Sequence, residues 1–354
     1  MELNNLKTGN ITMKLNILKY FIATAAALSI VCSCNKSPID TPPTETPSAI
    51  EFNNVSTKAA VNDLNDLKDN GFGVWALINN ATVTNSLHMN NSHVEYKTED
   101  NSWEYSPLRF WLPETVFNFI ATYPYDENGT YFTFDSNNSA VKLTVAETPS
   151  QEDFLIATNT TDTSDGSFDA SKSVNLEFQH MLTSVELNIW KDDGKHQNDQ
   201  MRIRQVTLGN IRQSGVYSSD TGMWTPENTK LALEYNNDSE ADYIGGARVN
   251  GDGSLDKGIH DPADPFGEMM LIPQTLDAAN KVSLQIHYQL KRQDGDEWED
   301  AELEAVLPYG TWEPNRRYTY NVVLSSVKDI TFYYIQTKIT SWGSPQVGGT
   351  IIIK

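Results

Sequence analysis

Cysteine is almost absent from this 354-residue chain, and both examples, Cys32 and Cys34, sit within the first tenth of it. The body therefore has no internal disulfide, no thiolate metal site and no thiol nucleophile. Basic residues are also scarce: 26 Lys and Arg face 47 Asp and Glu, for a formal net charge of -21. Such a surface repels phosphate backbones and argues against a nucleic-acid partner. No apolar run is long enough to span a bilayer as a helix. Gly-x-Ser-x-Gly, His-Glu-x-x-His, Walker and Gly-x-Gly-x-x-Gly elements are all missing, so no familiar catalytic constellation stands out. No repeat near 40 residues argues for a propeller.

What is present begins with an address. From Met13, the expected true start, Lys14 and Lys19 precede the twelve-residue apolar run Tyr20–Val31, which fits the core of a signal peptide covering residues 1–33. Val31-Cys32-Ser33-Cys34 resembles a bacterial lipobox, with an aliphatic residue at -3 and a small one at -1. A lipoprotein signal peptidase would cut before Cys34, whose sulfur would carry diacylglycerol and hold the chain in the outer membrane. The bland alternative is an ordinary secretory signal with incidental cysteines. Residues 34–49 contain four prolines among Ser and Thr and read as an extended tether.

The body reads as all-β. Phe72–Ile78, Val116–Tyr123, Val185–Ile189, Val282–Tyr288, Tyr318–Leu324 and Ile330–Ile335 are rich in β-branched and aromatic residues, and several alternate apolar with polar. Turn residues such as Glu127-Asn-Gly129 and Asp192-Asp-Gly194 separate them. One short helix is expected around Val61, Leu64 and Leu67. Two β-sandwiches suit an all-β chain of this length, with the break in the polar stretch Asn159–Ser167 or just after it. The division adopted is 50–172 and 173–354.

Ile50, Phe52 and Val55 form an apolar segment beside the tether, followed at once by the basic Lys58. At the other end Gly348-Gly-Thr-Ile-Ile-Ile-Lys354 is a strong strand former behind a Gly-Gly hinge. It can pair within its own sheet or with a neighbour's open edge.

Other candidates carry less. His180 and His287 lie in strand-like segments and read as structural. Asn250-Gly-Asp-Gly-Ser-Leu-Asp256, with Asp261, alternates oxygen donors as calcium loops do, but the sixth position lacks the glycine that an EF-hand turn needs. A solvated loop is the simpler reading, and no metal or other cofactor is assigned. Trp75, Trp111 and Trp312 fall in the strand pattern and are assigned to cores rather than to a sugar-binding face.

Ile50–Ala60 with Phe72-Gly-Val-Trp75, then Trp103–Trp111, Phe119–Tyr125, Asp153–Ala157 and Phe178–Thr183, follow one another in an order that resembles the fimbrillin family of type V pilus subunits. Leu271–Gln274, Trp312–Tyr320 and Ile339–Trp342 complete the resemblance across nearly the whole secreted body. It implies two transthyretin-like Greek-key β-sandwich domains in tandem. It also implies a lipoprotein precursor that reaches the cell surface, where a trypsin-like protease removes the first strand. Matched to this chain, the displaced strand is Ile50–Thr57, the cut falls between Lys58 and Ala59, and a strand from another pilus subunit fills the groove. Thr350, Ile351, Ile352 and Ile353 are the candidate donor. The chain ends soon after the Trp342 strand, which points to a stalk-type or minor subunit. The competing reading is a surface lipoprotein that binds glycans. A hydrolase ranks a distant third.

Overall fold

The computed structural model describes residues 47–57, 61–150, 152–196, 198–240, 243–252, 254–258, 260–327, 330–342 and 351–353. In chain order the first half gives β1 (Asn54–Thr57), α1 (Val61–Asn70), β2 (Phe72–Asn79), β3 (Ser86–Lys97), β4 (Ser102–Tyr105), β5 (Val116–Tyr123), β6 (Phe132–Asp135), β7 (Ala140–Val145), β8 (Leu155–Asp162) and β9 (Asn175–His180). Next come β10 (Thr183–Asp192), α2 (Asp193–His196), β11 (Gln200–Arg212), β12 (Gly215–Ser218), β13 (Met223–Pro226), β14 (Lys230–Asn236), β15 (Gly246–Val249) and β16 (Leu255–Lys257). The remainder is β17 (Met269–Leu271), β18 (Gln274–Leu276), β19 (Ser283–Lys291), β20 (Trp298–Val306), β21 (Gly310–Trp312), β22 (Arg316–Val327), β23 (Ile330–Ser341) and β24 (Ile351–Ile353). Among the described residues the protein is all-β apart from two helices.

The expected helix is α1. Leu67 is buried on its inner side, and Gly71 ends it at φ +69 with its N–H on the Leu67 carbonyl, a turn that glycine enters without steric cost. The Asp192-Asp-Gly194 stretch, expected as a turn, instead runs from the end of β10 into α2.

The first sheet has the order β1-β9-β8-β5-β2-β3-β4. In β2 and β5 every second side chain points to the same face, so Phe72, Val74, Ala76, Phe117 and Phe119 enter one core. Trp75, Leu77 and Ile120 enter another on the opposite face. With both faces covered, β2 reads as a continuous apolar run rather than an alternating one.

A second sheet, β13-β12-β7-β6, supplies Phe132, Val141, Leu143 and Val145 to that opposite core. Its β7–β12 pairing joins residues 142–145 to 215–218. The same core takes in Met181, Leu182, Ile272 and Trp342.

Most of the rest is a sandwich, with β18 and β21 pairing separately and β17 alongside β10. The sheet β16-β15-β10-β22-β23-β24 packs against β14-β11-β19-β20. Between them lie Val185, Leu187, Tyr320, Val322 and Ile335 from one side and Ile203, Val206, Leu208, Ile286 and Leu303 from the other. Trp75, Trp111 and Trp312 are all buried.

Two local features bear on the expected break. Asn159–Asp162, the first part of the polar stretch in or after which the break is expected, is the outer half of β8, hydrogen-bonded along β5 from Phe119↔Asn159 to Val116↔Asp162. Its polar side chains sit on a partly exposed strand, where alternation rather than polarity is diagnostic. Asn175–His180, on the C-terminal side of the 172/173 division, is a strand of the first sheet, between β1 and β8. Residues 47–354 accordingly form one compact unit.

Candidate functional site

The N-terminal segment leading into β1 is paired on both flanks. On one side the Ile50 N–H donates to the Arg109 carbonyl at 2.9 Å, and the Trp111 N–H donates to the Ser48 carbonyl at 3.1 Å. Ala49 and Phe110 face each other there as an antiparallel bridge. On the other side the Val174 N–H donates to the Glu51 carbonyl at 2.7 Å. From there β1 runs parallel to β9, with Asn54 opposite Asn175 and Thr57 opposite Phe178. Side chains reinforce the backbone: the Tyr105 hydroxyl donates to the Ile50 carbonyl at 3.0 Å, and the Trp103 N–H donates to Asn53 Oδ1 at 3.0 Å.

Two side chains anchor the segment. Ile50 and Phe52 are essentially inaccessible to solvent, whereas Glu51 and Asn53 between and beyond them are exposed. This is the two-residue period of a strand with one buried face. Phe52 sits edge-on to Tyr105 and Phe119, with centroids 5.5 and 5.9 Å away. Trp111 closes on Phe119 at 5.8 Å and on Phe168 at 5.1 Å. Burial pushes the Tyr105 phenol above its ordinary value, so it stays a neutral donor to its carbonyl partner. The segment thus covers one face of the first sheet, although only Asn54–Thr57 adds a regular ladder.

The C-terminal candidate lies elsewhere. Ile351–Ile353 runs antiparallel to Ile335–Thr337 at the edge of its own sheet. Cys34, Lys58, Ala59 and Thr350 lie outside the described residues.

His180 stacks on Trp342 with centroids 4.1 Å apart, and its Nδ1 is 2.8 Å from Asp153 Oδ2. That contact joins the end of β9 to the end of β23. His287 lies on the outer face of β19, 3.4 Å from Glu302. In the Asn250–Asp256 loop, Asp252 Oδ1 accepts the Ser254 N–H at 2.9 Å and its hydroxyl at 2.7 Å, so the carboxylate closes its own turn. Among the described residues, no group of three His, Cys, Asp or Glu is placed to hold a metal ion.

Sequence reasoning singled out the apolar pair Ile50 and Phe52, which is buried, but missed the groups that hold it. Arg109, Trp111 and Val174 act through backbone atoms, which any residue supplies, so their type carries no signal. Tyr105 stood within Trp103–Trp111, a stretch that entered only through the family resemblance.

The fold and this site define an all-β protein whose N-terminal segment lies between Arg109–Trp111 on one flank and β9 on the other. The chain belongs to the fimbrillin-like family, whose model matches residues 57–342. Among solved structures it is similar to a fimbrial protein from Bacteroides vulgatus, at 18% identity and a TM-score of 0.58 over 83% of this chain and 99% of that one. It is also similar to candidate cell adhesion proteins from Bacteroides ovatus (17% identity, TM-score 0.47) and Bacteroides uniformis (16%, 0.45). Each of these aligns over 85% of this chain and 99% of the other. At 18% identity the likeness to the Bacteroides vulgatus protein is one of fold. A comparison with curated proteins gives no match.

Proposed function

We propose that this protein is a non-enzymatic, adhesive structural subunit of a cell-surface pilus, assembled by exchange of strands between subunits. Membership of the fimbrillin-like family supports this reading. The observation that carries it is the two-sided slot, in which Ser48–Thr57 bonds to Arg109–Trp111 on one flank and Val174–Phe178 on the other. Withdrawing that segment would bare a backbone edge and the sockets of Ile50 and Phe52. Each side chain is worth roughly 1.5–3 kcal/mol of burial, so an empty slot strongly favours a replacement strand.

In this reading the precursor travels as a lipoprotein anchored at Cys34 in the outer membrane. A trypsin-like protease cuts between Lys58 and Ala59, which releases both the first strand and the lipid. The slot is filled by a donor strand of another subunit, and this chain's own candidate donor, Thr350–Ile353, must leave the edge beside Ile335–Thr337 before it is offered onward. The body is taken as two transthyretin-like Greek-key halves, 50–172 and 173–354, with Asn175–His180 of the second completing the sheet of the first. The test is the N-terminal residue of protein recovered from cell-surface fibres. Ala59 is expected, and fibres built from chains still beginning at lipidated Cys34 would end the strand-exchange reading.

One observation favours the glycan-binding alternative. Tyr243 is 47% exposed and stacks on Trp298 at 5.9 Å, while Arg202 lies over the Trp298 ring at 4.0 Å. Loss of glycan-array binding in Tyr243→Ala, with fibre formation intact, would support a sugar-binding role on the pilus.

A further inference from the structure

We infer that the slot selects its donor by size: it fits a strand with a branched aliphatic residue and, two positions away, a large aromatic ring. The chain's own Ile351-Ile352-Ile353 underfills it, so the preferred partner is a related subunit whose donor strand carries that aromatic. This rests on the strand-exchange reading and adds which partner the exchange admits.

Positions 50 and 52 are the fully buried ones of the segment: 51 and 53 face solvent, and Val55 packs against the same core only half-buried. The second position is an aromatic box. The Phe52 ring meets Tyr105 at an interplanar angle of 60° and Phe119 at 84°, both edge-to-face arrangements. The walls are pinned from behind. The Arg109 N–H donates to the Tyr105 hydroxyl at 3.1 Å, which in turn donates to the Ile50 carbonyl. Phe119 is stacked on Phe117 at 5.8 Å and faced by Trp111 at 85°. Walls held this way cannot collapse onto a smaller side chain, so a void would remain. An isoleucine there also forfeits both ring contacts.

In an extended Ile351-Ile352-Ile353, residues 351 and 353 share a face and 352 points away. Entry parallel to β9, as the resident strand runs, puts Ile353 in the Phe52 box. Entry in the reverse direction puts Ile351 there. In either direction an isoleucine stands where the box fits a ring.

The test uses the full chain with a site-specific protease sequence inserted after Lys58, nicked so that both pieces remain, and a fluorescent peptide of residues 48–57. Unlabelled competitors are the same peptide, its Phe52→Ile form, the native peptide 346–354, and that peptide with Ile351→Phe or Ile353→Phe. Phe52→Ile should compete about tenfold less well than its parent. One of the two phenylalanine variants should compete about tenfold better than native 346–354, and which one does so reports the direction of entry. If native 346–354 competes as well as both phenylalanine variants, the size selection is wrong while strand exchange stands. If even the unlabelled 48–57 peptide fails to displace the label, the slot does not exchange, and both readings fall.

Discussion

Tyr105 and Ile50 are joined by a 3.0 Å hydrogen bond from the phenol to the main-chain carbonyl, across 55 positions of sequence. The same hydroxyl accepts from the Arg109 N–H, so one ring oxygen ties the N-terminal segment to the loop on its flank. This junction ties the residues ahead of β1 into the core, beyond the ladder that β1 itself makes with β9.

The energetic weight of that segment can be measured directly in the uncut chain. Phe52→Ala should cost about 3–5 kcal/mol and Ile50→Ala about 2–5, because each leaves a cavity among fixed rings. The exposed Glu51→Ala should stay within about 0.5 kcal/mol of the parent. Urea unfolding midpoints check all three. A Phe52→Ala change below about 1 kcal/mol would mean that the segment is not a core element.

Deleting Thr350–Lys354 separates the two roles open to the last strand. A donor is dispensable for the monomer, so the truncated protein should melt near the parent temperature yet form no fibres after maturation. Electron microscopy and a melting curve give the answer. Normal fibres from the truncated protein would exclude this segment as the donor.

The thiol of Cys34 is the one expected to survive signal removal, so Cys34→Ala should abolish incorporation of a fatty-acid probe and membrane retention of the precursor. Full labelling of the variant would place the lipid elsewhere.

A pH effect follows from His88, whose ring stands edge-on to Phe117 at 5.5 Å. Burial pushes its imidazole below the ordinary 6.5; a hydrogen bond with the Phe110 backbone opposes this, and the Arg109 charge adds to the fall. The folded state therefore binds the proton less well than the unfolded chain. The contribution to stability is complete above 6.5 and is lost as pH falls below it. The melting temperature should drop between roughly pH 7 and pH 5.5, and His88→Gln should reduce that drop. An unchanged drop in the variant would assign it to other groups.

The strands themselves were legible. Phe72–Ile78 and Val116–Tyr123 coincide with β2 and β5 to within a residue, because β-branched and aromatic residues at this density cannot be solvated and have one economical way to pack. The three tryptophans assigned to cores are buried, and Leu67 turns inward on the expected helix. Less legible was the status of Asn159–Asp162, whose polar side chains belong to a strand because β5 beside it offers a ladder of bonds.

Sequence alone determined the acidity, the all-β character, the apolar pair at Ile50 and Phe52, and the order of motifs that marks the family. Each of these is written in neighbouring side chains, through charge, period and volume. Tertiary structure decided which strands meet. It placed β9 beside β1 and β8, joined β7 to β12 across 70 positions of chain, and set Arg109–Trp111 against Ser48–Ile50. Those pairings use backbone N–H and C=O groups that nearly every residue carries alike, so only the packing of distant side chains chooses among them.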